Sequence, residues 1–179
     1  MTLRQVTLDD IEPIALGAGI LGTGGGGNPY LGSLHLRQEI RARGLARIID
    51  PVDLPDDALI PMCGYIGAPT ASIEKIEEGT ELLQALRLLE KHVGRPMYAI
   101  GIAEIGGANS LAPLVAGIQA GLPIVDCDSM GRAFPELPMS TFLFEGGAPV
   151  TPLALVDAGG NAAVIPNTAA AQWAERLAR

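Results

Sequence analysis

The chain has 179 residues and a net charge of −8, with 48 % hydrophobic residues and only 4 % aromatic ones. That is one ordinary domain with an aliphatic core. Its acidity argues against nucleic acid, which needs a basic face, and no apolar run approaches the roughly 20 residues of a membrane span.

In chain order, the opening "MTLRQVTLDD" lacks an apolar signal core, which predicts a cytoplasmic protein. Two cysteines far apart make no disulfide framework and are read as reduced. Ile11, Ile14, Ala15, Ala18 and Leu21 recur at helical spacing. Thr7, Asp9 or Asp10 could cap this helix, with Pro13 in its first turn. "PYLGSLHLRQEIRARG" predicts a second helix ended by Gly44. "LARIID" and the longer "DALIPMCGYIG" read as strands, and "SIEKIEEGTELLQALRLLEKHVGR" as an amphipathic helix split at Gly79.

The second half continues with a strand in "PMYAIGIAEIGG", a helix in "NSLAPLVAGIQAGLP" and a strand in "PIVDCDSMG". Asn109 or Ser110 is the expected N-cap of that helix, and Gly121 with Pro123 its end. "TPLALVDAGGNAAVIP" predicts two short strands around a turn, and "TAAAQWAERLAR" a last helix. Strand and helix alternating through the middle imply βαβ units. The expected fold is therefore a three-layer α/β/α domain with a largely parallel central sheet.

"GILGTGGGGNPYLG" joins the first two helices and holds a literal G-x-G-x-x-G at Gly22, Gly24 and Gly27. A dinucleotide site needs a strand before those glycines, and here a helix precedes them. No Lys-Ser/Thr follows, so a Walker loop fails as well. A mobile connector and a close-approach loop remain. Glycines concentrated between two well-patterned helices favour the second. In that reading Gly24, Gly25, Gly26 and Gly27, with Asn28 at the next helix start, offer N–H groups to a carboxylate or oxyanion.

Ligands of open α/β sheets sit beyond the carboxyl ends of the strands. Three strands finish there with Cys63, with Glu104, and with Asp126 and Asp128 followed by Arg132. Each has a plain alternative. Cys63 could be a buried thiol, Glu104 a helix cap, and Asp-Cys-Asp-Ser a turn. Asp126 and Asp128 alternate around Cys127, which is read as core, and so face one side. Such a pair suits a general base or a metal site, and Arg132 could pair with it or clamp a substrate carboxylate. His35 and His92 belong to no zinc spacing, and no G-x-S-x-G supports a Ser–His–Asp triad. Carboxylates alone could hold a divalent metal, though the sequence requires none.

"GILGTGGGGNPYLG", "AEIGGANS" and above all "VDCDSMGRAFPELPMST" resemble the N-terminal domain of the S-methyl thiohydantoin desulfurase family, which is linked to hydantoin utilisation. The resemblance spans nearly the whole chain and implies hydrolytic breakdown of a hydantoin- or thiohydantoin-like ring. It implies site residues at Gly24 to Gly27, Asn28, Glu104, Gly106, Gly107, Asn109, Asp126, Asp128, Gly131, Arg132 and Glu136. Cys127 departs from the small residue expected at its position. The resemblance also implies a β-rich domain after this one, so the chain is expected to be either the N-terminal half of a longer two-domain architecture or a short relative.

The resulting expectation is a hydrolase-type domain. Glu104, Asp126 and Asp128 activate water, while the glycine loop, Cys63, Asn109 and Arg132 contact a cyclic imide or thiohydantoin. The alternative is a non-catalytic subunit of a hydantoin-utilising system, in which the glycine loop only packs. The expected protein partner is then a second copy or a hydantoinase subunit.

Overall fold

The computed structural model describes residues 4–23, 25–68, 74–145 and 147–179. Its centre is a five-stranded sheet of β1 (Arg4–Val6), β2 (Ala46–Ile49), β3 (Met62–Cys63), β4 (Ile100–Ile102) and β5 (Ile124–Asp128), in the order β1-β2-β5-β4-β3. β1 runs antiparallel to β2, and every other pairing is parallel. The mixed α/β class with a mostly parallel sheet is the one the strand–helix alternation predicts.

α1 (Ile11–Leu21) and α2 (Pro29–Arg43) form where the apolar spacing places them, with Gly44 closing α2. α3 (Glu81–Val93) is shorter than expected. Residues 75–80 are non-helical, and 72 and 73 lie outside the described residues. The Glu81 carboxylate explains the start, because it accepts from the N–H groups of Glu78 at 2.6 Å and Gly79 at 2.9 Å. α4 (Ala112–Ala120) ends at Gly121 in the left-handed conformation. Its residues 112–117 are all buried, as in a helix enclosed on every side. At Gly117 a Cβ would lie 2.4 Å from Ile124 Cδ1, so the glycine sets how closely α4 approaches the sheet.

Four expectations need correction. Neither Asn109 nor Ser110 caps α4; both belong to a 3₁₀ turn, Gly107–Ser110, and the Asn109 side chain is used elsewhere. The strand expected over 57–67 is regular only at Met62–Cys63, since Pro61 has no N–H for a ladder. β1 was not anticipated, because three residues at a sheet edge carry too little periodicity. The last helix, α6 (Ala171–Ala178), starts later than expected, and a short α5 (Thr141–Glu145) precedes it. The hairpin of β6 (Leu153–Val156) and β7 (Ala162–Ile165) forms as predicted and packs on α3.

One large apolar cluster joins helices to sheet through Ile11, Leu36, Leu86, Ile100, Leu114 and Ile124. Removing a side chain such as Ile100 or Ile124 from water stabilises the fold by about 1.5–3 kcal/mol. A smaller cluster of Ile49, Ala99 and Val125 is packed by Leu54 and Ile60 from the segment after β2 and by Cys127, in line with its reading as core. No described helix is long and apolar enough to cross a membrane.

Candidate functional site

The parallel register brings the expected strand ends together. Cys63 of β3 pairs with Ile102 of β4, and Ile102 pairs with Asp128 of β5. Between Ile100 and Ile102, β4 advances two residues while β5 advances from Ile124 to Asp128, a bulge of the kind found beside functional sites. Glu104 lies two residues beyond Ile102.

Glu104 is 8 % exposed and is held by neutral donors. Its Oε1 accepts from Asn109 Nδ2 at 2.7 Å, and its Oε2 accepts from the Phe134 N–H at 2.8 Å. It makes no salt bridge among the described residues. Burying a carboxylate without a cation is costly, so the position calls for a reason. Asn109, 3 % exposed, also grips Tyr65. Its Oδ1 accepts from the Tyr65 N–H at 2.7 Å, and its Nδ2 donates to the Tyr65 carbonyl at 3.1 Å. One amide thus ties the segment after β3 to the buried carboxylate after β4.

The glycine loop is tied to the same place. Gly26 O accepts from the Asn109 N–H at 3.2 Å, and Leu21 O accepts from the Ala133 N–H at 3.1 Å. A Cβ on Gly26 would lie 2.3 Å from Gly106 O, and one on Gly107 2.5 Å from Gly26 O. "TGGGGN" and "AEIGGANS" therefore meet backbone to backbone, which explains why both are glycine-rich. Asn28 accepts from the Tyr30 N–H at 2.9 Å and so caps α2. The N–H of Gly25 is used within the loop, by Gly22 O at 2.9 Å. Gly24 falls outside the described residues.

The remaining candidates occupy supporting places. Asp128 Oδ2 accepts from the N–H groups of Ile105 (3.1 Å), Met130 (3.2 Å) and Gly131 (2.6 Å), clamping the turn after β5 to the segment after β4. Asp126 is half-exposed and pairs with Arg4 of β1. The two acids thus have separate partners. Arg132 pairs with neither of them. Its Nη2 donates to the Thr23 carbonyl at 2.7 Å, and its guanidinium lies 5.7 Å from the Phe134 ring centre, so it latches the glycine loop. Glu136 opens the 3₁₀ turn Leu137–Met139 through its carbonyl.

Burial pushes the Cys63 thiol up to about 12, against a smaller opposing effect of the Gly64 N–H, so it is a neutral packing group at physiological pH. Burial also raises Cys127, helped by Asp128 and then Asp126. Among the described residues no group of three or more His, Cys, Asp or Glu could hold a metal ion. These residues therefore do not fit the divalent metal the sequence leaves open. The sequence pointed to neither the Tyr65 backbone nor the Phe134 N–H, and to Ser110 only as a possible helix cap. Ser110 is 4 % exposed, and its Oγ has no hydrogen-bond partner among the described residues.

A crystallographically determined protein from Chromobacterium violaceum superposes with a TM-score of 0.82 at 26 % identity, over 97 % of this chain and 49 % of that one. The chain thus spans about half the length of that relative. No curated protein was found to match the sequence. Residues 9–167 match the family described as S-Me-THD-like, N-terminal domain. With that match over most of its length, the chain belongs to the S-Me-THD-like family, as its N-terminal domain.

Proposed function

We propose that this domain carries the proton-accepting carboxylate of a hydrolase that acts on a hydantoin- or thiohydantoin-like five-membered ring. The observation behind the reading is Glu104: a carboxylate buried at the strand ends, held by two neutral N–H donors and left without a cation. Membership in the S-Me-THD-like family supports a thiohydantoin-like ring as the substrate class. Two hydrogen bonds leave Glu104 with lone pairs to receive a proton. Water adds through its oxygen to the ring carbon bearing oxygen or sulfur, and its proton passes to Glu104. Collapse then breaks either the carbon–nitrogen bond, opening the ring, or the carbon–sulfur bond, releasing a thiol from an S-alkylated ring and hydrogen sulfide from a thiocarbonyl. In both cases the departing atom takes the proton back from Glu104.

In this reading the N–H groups of Gly26 and Gly27 stabilise the oxyanion or bind a substrate carboxylate. Asn109 fixes the Glu104 carboxylate. Asp128 and Arg132 hold the turn and the glycine loop in place, while Asp126 stays with Arg4. The relative is about twice as long as this chain, so the roles proposed here concern this domain alone. The test is product release from hydantoin and 2-thiohydantoin by the protein and by Glu104→Gln. Loss confined to the folded variant supports the assignment, and equal rates refute it.

One observation favours a second reading, a non-catalytic assembly subunit. The glycine loop is packed tightly on Gly106 and Gly107, and Arg132 is occupied by the Thr23 carbonyl. Stoichiometric co-purification with a ring-opening enzyme whose rate is indifferent to Glu104→Gln would support it over the first.

A further inference from the structure

We infer that the face formed by α1 and α2 is the interface of a homodimer. α1 leaves Leu16 and Ile20 about two-thirds exposed, and α2 leaves Tyr30, Leu31 and Leu34 about half exposed. Five large apolar side chains on two adjoining helices form the kind of patch that marks an interaction surface. At Gly17 of α1 no described residue lies within 4 Å of where a Cβ would stand, so this part of the helix is open among the described residues.

The two helices carry complementary patterns. Along α1, Glu12, Leu16 and Ile20 follow each other at i, i+4 spacing and form one stripe. Along α2, Leu34, Arg37 and Arg41 line a groove of about 520 Å³. Glu12, Arg37 and Arg41 make no ion pair among the described residues. Gly19, near the end of α1, lies beside Pro29, the start of α2, so the hairpin is antiparallel and its acidic and basic ends coincide.

A two-fold axis running along this hairpin sets α1 of one copy antiparallel to α2 of the other. The stripe then meets the groove in matching order: Glu12 on Arg41, Leu16 on Leu34 and the Arg37 stem, Ile20 on Leu31. The same contacts occur twice, which is the self-complementarity a closed dimer requires. Local pairing of opposite charge also counters the repulsion between two copies of net charge −8. These matched patterns lie on one chain, and that is why the occupant is a second copy.

Sedimentation velocity on the 179-residue chain is expected to give twice the 18.5 kDa chain mass. Leu16→Glu, at an exposed position, should give a monomer with an unchanged circular dichroism spectrum. Glu12→Arg and Arg41→Glu should each weaken association by about tenfold, and the two combined should restore it. A chain that stays monomeric at high micromolar concentration would overturn the proposal and leave the face to another segment or protein. So would a dimer indifferent to Leu16→Glu, or single charge reversals that change nothing or do not compensate each other.

Discussion

The side-chain amide of Asn109 donates to the Glu104 carboxylate at 2.7 Å while its own oxygen accepts from the Tyr65 N–H. This short polar bridge links the segments that follow two neighbouring strands. Asn109→Ala leaves a buried carboxylate oxygen and the Tyr65 N–H without this partner. The carbonyl of Tyr65 loses its bond from the amide as well, and the expected loss is about 3–5 kcal/mol, from three unmade bonds of which one is to a charge. Urea unfolding at neutral pH measures it. A loss within about 0.5 kcal/mol, the scatter of surface substitutions, would mean that water replaces the amide without cost.

The neighbouring hydroxyl of Ser110 should behave in the opposite way. It is buried and unpartnered, so Ser110→Ala removes a desolvated polar group and breaks no bond. Stability is expected to stay level or rise by about 1 kcal/mol. The same urea experiment reads the outcome, and a clear loss would show that the hydroxyl is bonded in solution.

Glycine substitutions separate clash from backbone strain. Gly22 has φ of −86°, open to any residue, yet a Cβ there would lie 2.5 Å from Gly107 N. Gly26 combines φ of +79° with a Cβ 2.3 Å from Gly106 O. Gly131 has φ of +77° but open space around it. Alanine at Gly131 should cost about 1 kcal/mol, from conformation alone. At Gly22 and Gly26 the backbone itself must move, and losses of about 3 kcal/mol or more are expected. Melting temperatures of the three variants rank them.

The buried thiol gives a prediction in pH. Burial raises Cys63 from 9.0 to about 12 in the folded chain, whereas the unfolded chain ionises near the ordinary value. A value raised on folding gives stability that is present below pH 9 and lost as pH climbs towards 12. Cys63→Ala should lower stability at pH 7 by leaving a cavity, and should flatten the decline between pH 9 and 11. Parallel slopes for the two proteins would show that Cys63 ionises freely when folded. At pH 7 the native thiol should also resist alkylation until denaturant is added.

Much of the fold was legible from local signals. The spacing of Ile11, Ala18 and Leu21, the Gly44 and Gly121 stops, and the apolar runs ending at Ile102 and Asp128 each act over a few residues, and each element formed there. Strand ends gathering at one edge follow from parallel pairing, so Cys63, Glu104 and Asp128 could be grouped in advance. The roles within that group could not. Arg132 reaches Thr23 across 109 positions, Asn109 reaches Tyr65 across 44, and Asp126 reaches Arg4 across 122. No periodicity records such pairings. Asn109 looked like a cap because local competition for α4's N–H groups was the only partner visible in the sequence. The two glycine motifs read as separate loops, and only their contact shows why each needs glycine.

The central claim is that Glu104 is the proton acceptor for ring hydrolysis. The deciding measurement is the initial rate of hydrogen sulfide or ring-opened product release from a 2-thiohydantoin, for the protein and for Glu104→Gln, with circular dichroism confirming that both are folded. Turnover above the uncatalysed reaction is expected, with a drop of about 10²–10⁴-fold in the folded variant, the range for loss of a general base. A folded Glu104→Gln protein that turns over at the original rate would contradict it.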